Sequence, residues 1–268
     1  MSVVATQSVH ALLRDLVANS PRRDFLHDTE GIELSNQAAL VREVVVTVQA
    51  CLEPDLRALR ETDAPHPGER VVASIAQYDE ILRTLLDAAP LIETGRMSTA
   101  WTLLGSATDR LRVLTALEAP AGDDAARRLA DASARARAQL IDAMIDAMVD
   151  DVDVHYPSVI VATAVATRPV PTLPAPTPAI ASLVELVDLG AATVGDGGAE
   201  HALPGSSPGT DYDHLAMVGG HQLHLVLEII RAATDSMCAV AAQSTDADAW
   251  AERADDVRAA VEFAWDCV

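Results

Sequence analysis

The chain has 268 residues, half of them hydrophobic, and its formal net charge is −21. Such an acidic balance argues against nucleic acid or an anionic membrane as a partner, because both repel negative charge. All the basic residues other than histidine are arginine, which excludes lysine Schiff-base chemistry and a P-loop lysine. Three well-separated cysteines, with no CxxC pair, indicate reduced thiols rather than a disulfide framework or a zinc site.

Apolar residues recur at helical spacing along most of the chain, alanine and leucine are abundant, and aromatic residues make up only 3%. This pattern predicts an all-α, single-domain helical bundle over residues 1–268. Pro90 is expected to separate the third predicted helix from the fourth. In chain order, helices are predicted at about 3–18, 35–52, 69–88, 94–117, 123–152, 179–192, 210–242 and 246–267.

Two stretches of the sequence are not predicted to be helical. Residues 155–178 hold a β-branched run and five prolines, which predict an extended, polyproline-like crossing segment. Residues 195–209 are rich in glycine, serine and proline and predict a flexible loop. No segment is apolar enough to span a membrane, and residues 1–19 lack the pattern of a signal peptide. We therefore expect a cytoplasmic protein.

The helix predicted at 210–242 is apolar nearly all round, so it should lie inside the bundle. Its polar residues follow one stripe, and such a stripe must be paired, bound to a ligand or turned to solvent. Within it, the spacing of His221, His224 and Glu228 suits a metal ion. No second helix supplies a companion Glu-x-x-His, so a hydrogen-bonded seam is favoured over a di-iron centre. The stripe consists of His214, His221, His224, Glu228, Arg231 and Asp235.

Three segments, widely spaced but in a fixed order, bear on function. They are Leu26-His27-Asp28 followed by Asn36-Gln37-Ala38; Ile81-Leu82 followed by Asp87-x-x-Pro90-x-x-Glu93-Thr94; and Tyr212-x-His214-x-x-Met217-Val218. Together they resemble the tryptophan 2,3-dioxygenase superfamily of haem enzymes, which includes the indoleamine dioxygenases. The resemblance implies a helical bundle that encloses a haem pocket. It also implies that His214 is the axial ligand of the haem iron.

The pocket that the resemblance implies differs from the family pattern. Asn36 stands where the tryptophan enzymes have a distal histidine, and Ile32 replaces a pocket phenylalanine. Leu104 stands where an arginine binds the carboxylate of the amino acid, and a leucine cannot pair with a carboxylate. Ser35 and Trp101 complete the expected distal pocket and substrate site. Ordinary turnover of L-tryptophan is therefore not expected.

The resemblance implies a haem b oxygenase that inserts one or two oxygen atoms into a small aromatic or indole-type substrate. The oxidant is dioxygen or peroxide, the setting is specialised metabolism, and a homo-oligomer is implied as well. Three alternatives remain open at the level of sequence. They are a non-catalytic haem sensor or carrier, a haem-free helical scaffold, and a non-haem metal site at His221, His224 and Glu228.

Overall fold

The computed structural model describes residues 34–61, 68–149, 177–197 and 208–268, and every element in these ranges is an α-helix. Side chains at 137–138, 140–149, 192–197 and 208–216 lie outside the description. The all-α fold class is confirmed for the described residues. In chain order the helices are α1 (Leu34–Glu61), α2 (Glu69–Glu93), α3 (Met97–Glu118), α4 (Gly122–Val149), α5 (Pro178–Gly197), α6 (Pro208–Ala242) and α7 (Ala247–Trp265).

The core of the bundle lies around α6, which packs against α1, α2, α3 and α7. This follows from its sequence, since a helix that is apolar on most faces is stable only when other helices cover it. α3 also packs against α2 and α5, while α4 lies against α2 and α3. None of the described helices is long and apolar enough to cross a membrane.

A polar contact in the middle of the bundle is fully paired. The hydroxyl groups of Tyr78 on α2 and Thr234 on α6 lie 2.9 Å apart and are buried. Burial raises the pKa of Tyr78 far above its usual value, since the phenolate would be desolvated. Burial likewise raises the pKa of the Cys238 thiol to about 12, so this cysteine is protonated at neutral pH.

The junction between α2 and α3 is a tight turn that fixes where α3 begins. Gly95 has a φ of 75°, a left-handed conformation that glycine adopts without a steric penalty. The Arg96 amide donates to Leu91 O (2.8 Å) and the Gly95 amide donates to Ile92 O (3.1 Å). This is the Schellman pattern of helix termination, and it satisfies carbonyls that would otherwise lack donors. It sets the position of Met97 and of the first turns of α3.

Several predicted boundaries differ from the structure. Pro54 lies inside α1 and Pro90 inside α2, so neither helix ends where the sequence suggested. Packing of the flanking turns outweighs the loss of one backbone hydrogen bond at each proline. The predicted loop at 195–209 is also too long, because α5 extends to Gly197 and α6 begins at Pro208.

Of the extended segment predicted at 155–178, only residues 177 and 178 are described. Pro178 is the first residue of α5. Proline is well tolerated there because a backbone N–H at this position would have no acceptor within the helix. The rest of the predicted extended segment, the predicted helix at 3–18 and Ile32 lie outside the described residues.

Candidate functional site

Helices α1, α3 and α6, which are far apart in sequence, meet near the start of α1 and α3. At Gly219 on α6, an added Cβ would lie 2.7 Å from Leu34 Cδ1 and 3.1 Å from Met97 Cε. The absence of a side chain at Gly219 therefore lets the first residues of α1 and α3 close onto the backbone of α6. In the sequence, Leu34 lies two residues before Asn36, Met97 lies three residues after Thr94, and Gly219 directly follows Val218.

His214 lies on α6, five residues before this contact. Its backbone is helical, and its side chain lies outside the described residues. His214 and His221 are seven residues apart, so they share a helix face at a separation of about 10.5 Å along the axis. On the same face Met217 is 67% exposed, and His221 is exposed as well. At Met217 and His221, this face of α6 is thus exposed.

Trp101 is buried at this end of α3, with only 3% of its surface exposed. Its ring lies so close to Gly190 on α5 that a Cβ added there would overlap it. The ring centroids of Trp101 and His221 are 6.1 Å apart. The indole Nε1 is buried, and no described residue forms a hydrogen bond with it. A tryptophan N–H in a protein core normally has a partner, so this donor is unusual.

Gln222 is a second buried polar residue here, and it was not among the site residues predicted from the sequence. Its Nε2 donates to Met97 O at 3.0 Å, while its Oε1 is buried without a partner. Gln222 lies off the polar stripe of α6, between His221 and Leu223. A single glutamine on the apolar side of a buried helix was the only signal in the sequence that could have found it.

The remaining expected pocket residues are only partly brought together. Ser35 and Asn36 are half-buried in the first turn of α1, next to Leu34. Leu104 is completely buried, one turn after Trp101 on α3. Leu104 lies in the hydrophobic core, and its side chain has no group that could pair with a substrate carboxylate. The neighbouring Gln37 donates its Nε2 to Val268 O, which ties the start of α1 to the residues after α7.

The C-terminal part of the polar stripe on α6, from His224 to Arg231, makes contacts with other residues of the protein. Nδ1 of His224 lies 2.9 Å from Gly220 O, and its ring is edge-on to Trp265 with centroids 4.3 Å apart. Glu228 forms an ion pair with Arg231 one turn later. In the part of the chain that the structure describes, no three His, Cys, Asp or Glu side chains form a group able to hold a metal ion. A hydrogen-bonded seam describes these residues better than a metal site.

No protein-family model, no curated protein and no solved structure matches this chain. Within the described part of the chain, Trp101 and Gln222 each hold a buried polar atom without a hydrogen-bond partner, close to the exposed His221 of α6.

Proposed function

We propose that the chain is a histidine-ligated haem b oxygenase that acts on a small aromatic or indole-type substrate with dioxygen or peroxide. The observation that carries the proposal is the position of Trp101, whose buried ring lies with its centroid 6.1 Å from that of His221, on the helix face that also carries His214. This proximity supports a shared site for Trp101 and His214.

The chemistry of this helix face suits a haem group. Met217, exposed on the face of α6 that carries His214, is an apolar side chain of the kind that lines a porphyrin face. His214 would hold the iron through its imidazole, on a helix that fixes the direction of the ring. Arg96, exposed just before α3, is a cation suited to a haem propionate. When bound, the haem would supply the binding and activation of dioxygen or peroxide.

The protein side chains would select the substrate and exclude water. The resemblance implies that Ile32, Ser35 and Asn36 would line the side on which oxygen binds, and none of them is a strong acid or base. Trp101 and Leu104 are buried one turn apart on α3, and such apolar side chains would favour a flat, apolar ring. Since Leu104 cannot pair with a carboxylate, a free amino acid is a poor substrate.

The absorption spectrum of the chain expressed with haem supplied tests this proposal. We expect a strong Soret band in the wild type that is shifted or lost in His214→Ala. His221→Ala is the matched control, since it removes an exposed imidazole from the same face of the same helix. The control should retain the band. A band absent from the wild type, or unchanged in His214→Ala, would refute haem ligation by His214.

Turnover separates an oxygenase from a haem sensor or carrier. Haem-loaded protein, a reductant and dioxygen, or peroxide alone, should convert an indole without a carboxylate faster than L-tryptophan. The products are identified by the mass of one or two added oxygen atoms. A haem-loaded protein that converts neither class of compound is a carrier or sensor, and normal rates with L-tryptophan contradict the role given to Leu104.

A further inference from the structure

The outer face of α5 carries two exposed leucines. Leu186 and Leu189 are 44% and 63% exposed, whereas Leu183 and Val187, on the other side of the helix, are buried in the core. The two exposed leucines are three residues apart, so they are neighbours on one face. Among the described residues, no other helix exposes two large apolar side chains. Adjacent exposed apolar side chains, unlike single ones, are typical of an interaction surface.

The described helices cover α5 on its inner side only. α5 packs against α3 and, less extensively, against α6. The inner contact is close, since a Cβ added at Gly190 would overlap the ring of Trp101. This contact holds the helix in place, so the outer face presents its leucines to solvent in a fixed direction.

The charged residues beside the two leucines are acidic. Glu185 is exposed one turn before Leu189, and Asp188 is exposed next to it. From residue 169 to residue 230 the sequence contains no lysine or arginine. The same stretch contains seven acidic residues, namely Glu185, Asp188, Asp196, Glu200, Asp211, Asp213 and Glu228. A partner that covers this face therefore meets negative charge beside the apolar side chains.

This charge discriminates among the candidate occupants of the face. A second copy docked through the same face would bring like carboxylates together, and each chain carries a net charge of −21. An anionic membrane surface is repelled for the same reason. A helix with an apolar stripe flanked by arginine or lysine can cover the leucines and pair with the carboxylates at the same time.

We propose that the outer face of α5 is a docking surface for a basic amphipathic helix of a partner protein. Apolar residues of the partner helix pack on Leu186 and Leu189, and its basic residues pair with Glu185 and Asp188. Residues 178–191 of α5 span about 20 Å, which matches about four turns of the partner helix. A contact of this size gives a weak, reversible complex. The proposal is independent of the oxygenase activity.

Fluorescence anisotropy with two labelled peptides of about four helical turns tests the surface. One peptide has leucines at intervals of three and four residues with arginines beside them, and the other has the same composition in scrambled order. We expect the full chain to bind the amphipathic peptide at least about tenfold more tightly. The double variant Leu186→Ser/Leu189→Ser should remove that preference. Glu185→Gln/Asp188→Asn should weaken binding of both peptides, most strongly at low salt.

Two substitutions at exposed positions on other helices are the matched controls. Val72→Ser on α2 removes an apolar side chain that is 46% exposed, and Glu252→Gln on α7 removes an exposed carboxylate. Both controls should bind the amphipathic peptide as the wild type does. All the changed side chains are exposed, so the variants should fold, and urea unfolding checks that they do.

Every outcome decides for or against the docking surface. Equal binding of the two peptides, or a preference that survives in Leu186→Ser/Leu189→Ser, overturns the proposal. Binding that is unchanged by Glu185→Gln/Asp188→Asn contradicts the basic character of the partner. Sedimentation of the chain alone tests a second copy as the occupant. A dimer that dissociates in Leu186→Ser/Leu189→Ser would overturn the proposal in favour of self-association.

Discussion

The two ends of α3 differ in how the polar groups around them are paired. At its C-terminal end, the Arg70 guanidinium donates to the carbonyl oxygens of Leu117, Glu118 (2.6 Å) and Ala119 (3.1 Å). These carbonyls would otherwise lack partners, so one side chain completes the helix end. At the N-terminal end, Trp101 and Gln222 each leave a buried polar atom unpaired.

Near each end of α3 a glycine lets a neighbouring side chain come close to the backbone, but the two side chains differ. Gly122 leaves room for the guanidinium of Arg70, whereas Gly190 leaves room for the ring of Trp101. Not every buried polar group near Arg70 is paired, since Ser74 Oγ, one turn later on α2, also lacks a partner among the described residues. The contrast concerns the helix-end carbonyls, which Arg70 completes, and the side chains of Trp101 and Gln222, which stay unpaired. Four sets of substitutions test it.

The largest effect is expected at the paired end. In Gly122→Ala the new methyl group would overlap the Leu117 carbonyl and lie 2.5 Å from Arg70 Nε. Because a backbone atom cannot move aside easily, we expect a loss of about 3 kcal/mol in the free energy of unfolding, measured in urea. Arg70→Ala should cost about 2 kcal/mol, since three charge-assisted hydrogen bonds are lost. A stability equal to wild type in both variants would contradict the account of this end.

Gly190→Ala tests the contact between α5 and Trp101. Its methyl group would overlap a rigid indole ring, so we expect a loss of about 2 kcal/mol in the free energy of unfolding. Gly105→Ala, in the middle of α3, is the matched control. Nothing lies within 4 Å of its Cβ position, so it should gain about 0.5–1 kcal/mol from better helix propensity. Equal effects of the two substitutions would show that α5 does not rest on Trp101.

Two adjacent glycines on α6, Gly219 and Gly220, test how closely α1 and α3 pack against α6. Gly219→Ala meets the ends of two flexible side chains, Leu34 and Met97, which can move by a few tenths of an ångström. We expect a loss of about 1 kcal/mol. Gly220→Ala meets nothing within 4 Å and should gain about 0.5–1 kcal/mol. If Gly219→Ala is also stabilising, α1 and α3 do not close onto α6 there.

The smallest effect on stability is expected for Gln222→Leu. It removes one hydrogen bond to Met97 and one unpaired buried oxygen, and these contributions oppose each other. We expect the free energy of unfolding to change by less than about 1 kcal/mol, although the residue is completely buried. A loss as large as that of Arg70→Ala would mean that the hydrogen bond to Met97 outweighs the cost of the unpaired oxygen.

Much of the fold could be predicted from periodicity. The end of α6 at Ala242 was predicted as observed, and so was the start of α7 after Asp246. Asp246 caps α7 by accepting from the amides of Asp248 and Ala249, which is the local chemistry that a sequence displays. Pro90 was expected to separate two helices but lies inside α2, because tertiary packing, which the sequence does not display, outweighs its local effect.

The candidate site was less predictable. His214, Ser35, Asn36, Trp101 and Leu104 were selected through the resemblance of short segments, and their roles stay predictions. Gln222 was missed because its importance depends on one carbonyl, that of Met97, which is 125 residues away in the chain. Likewise, the sequence displays the glycines at 190 and 219, but only packing shows which side chains they accommodate.

Chemical rescue with imidazole shows whether His214 binds the haem iron. The absorption spectrum of haem-supplied protein is recorded for the wild type, His214→Gly, His214→Gly with added imidazole, and His221→Gly. We predict a Soret band in the wild type and in His221→Gly, its shift or loss in His214→Gly, and its return with imidazole. A band unchanged in His214→Gly, or absent from every sample, would contradict haem ligation at this end of the bundle.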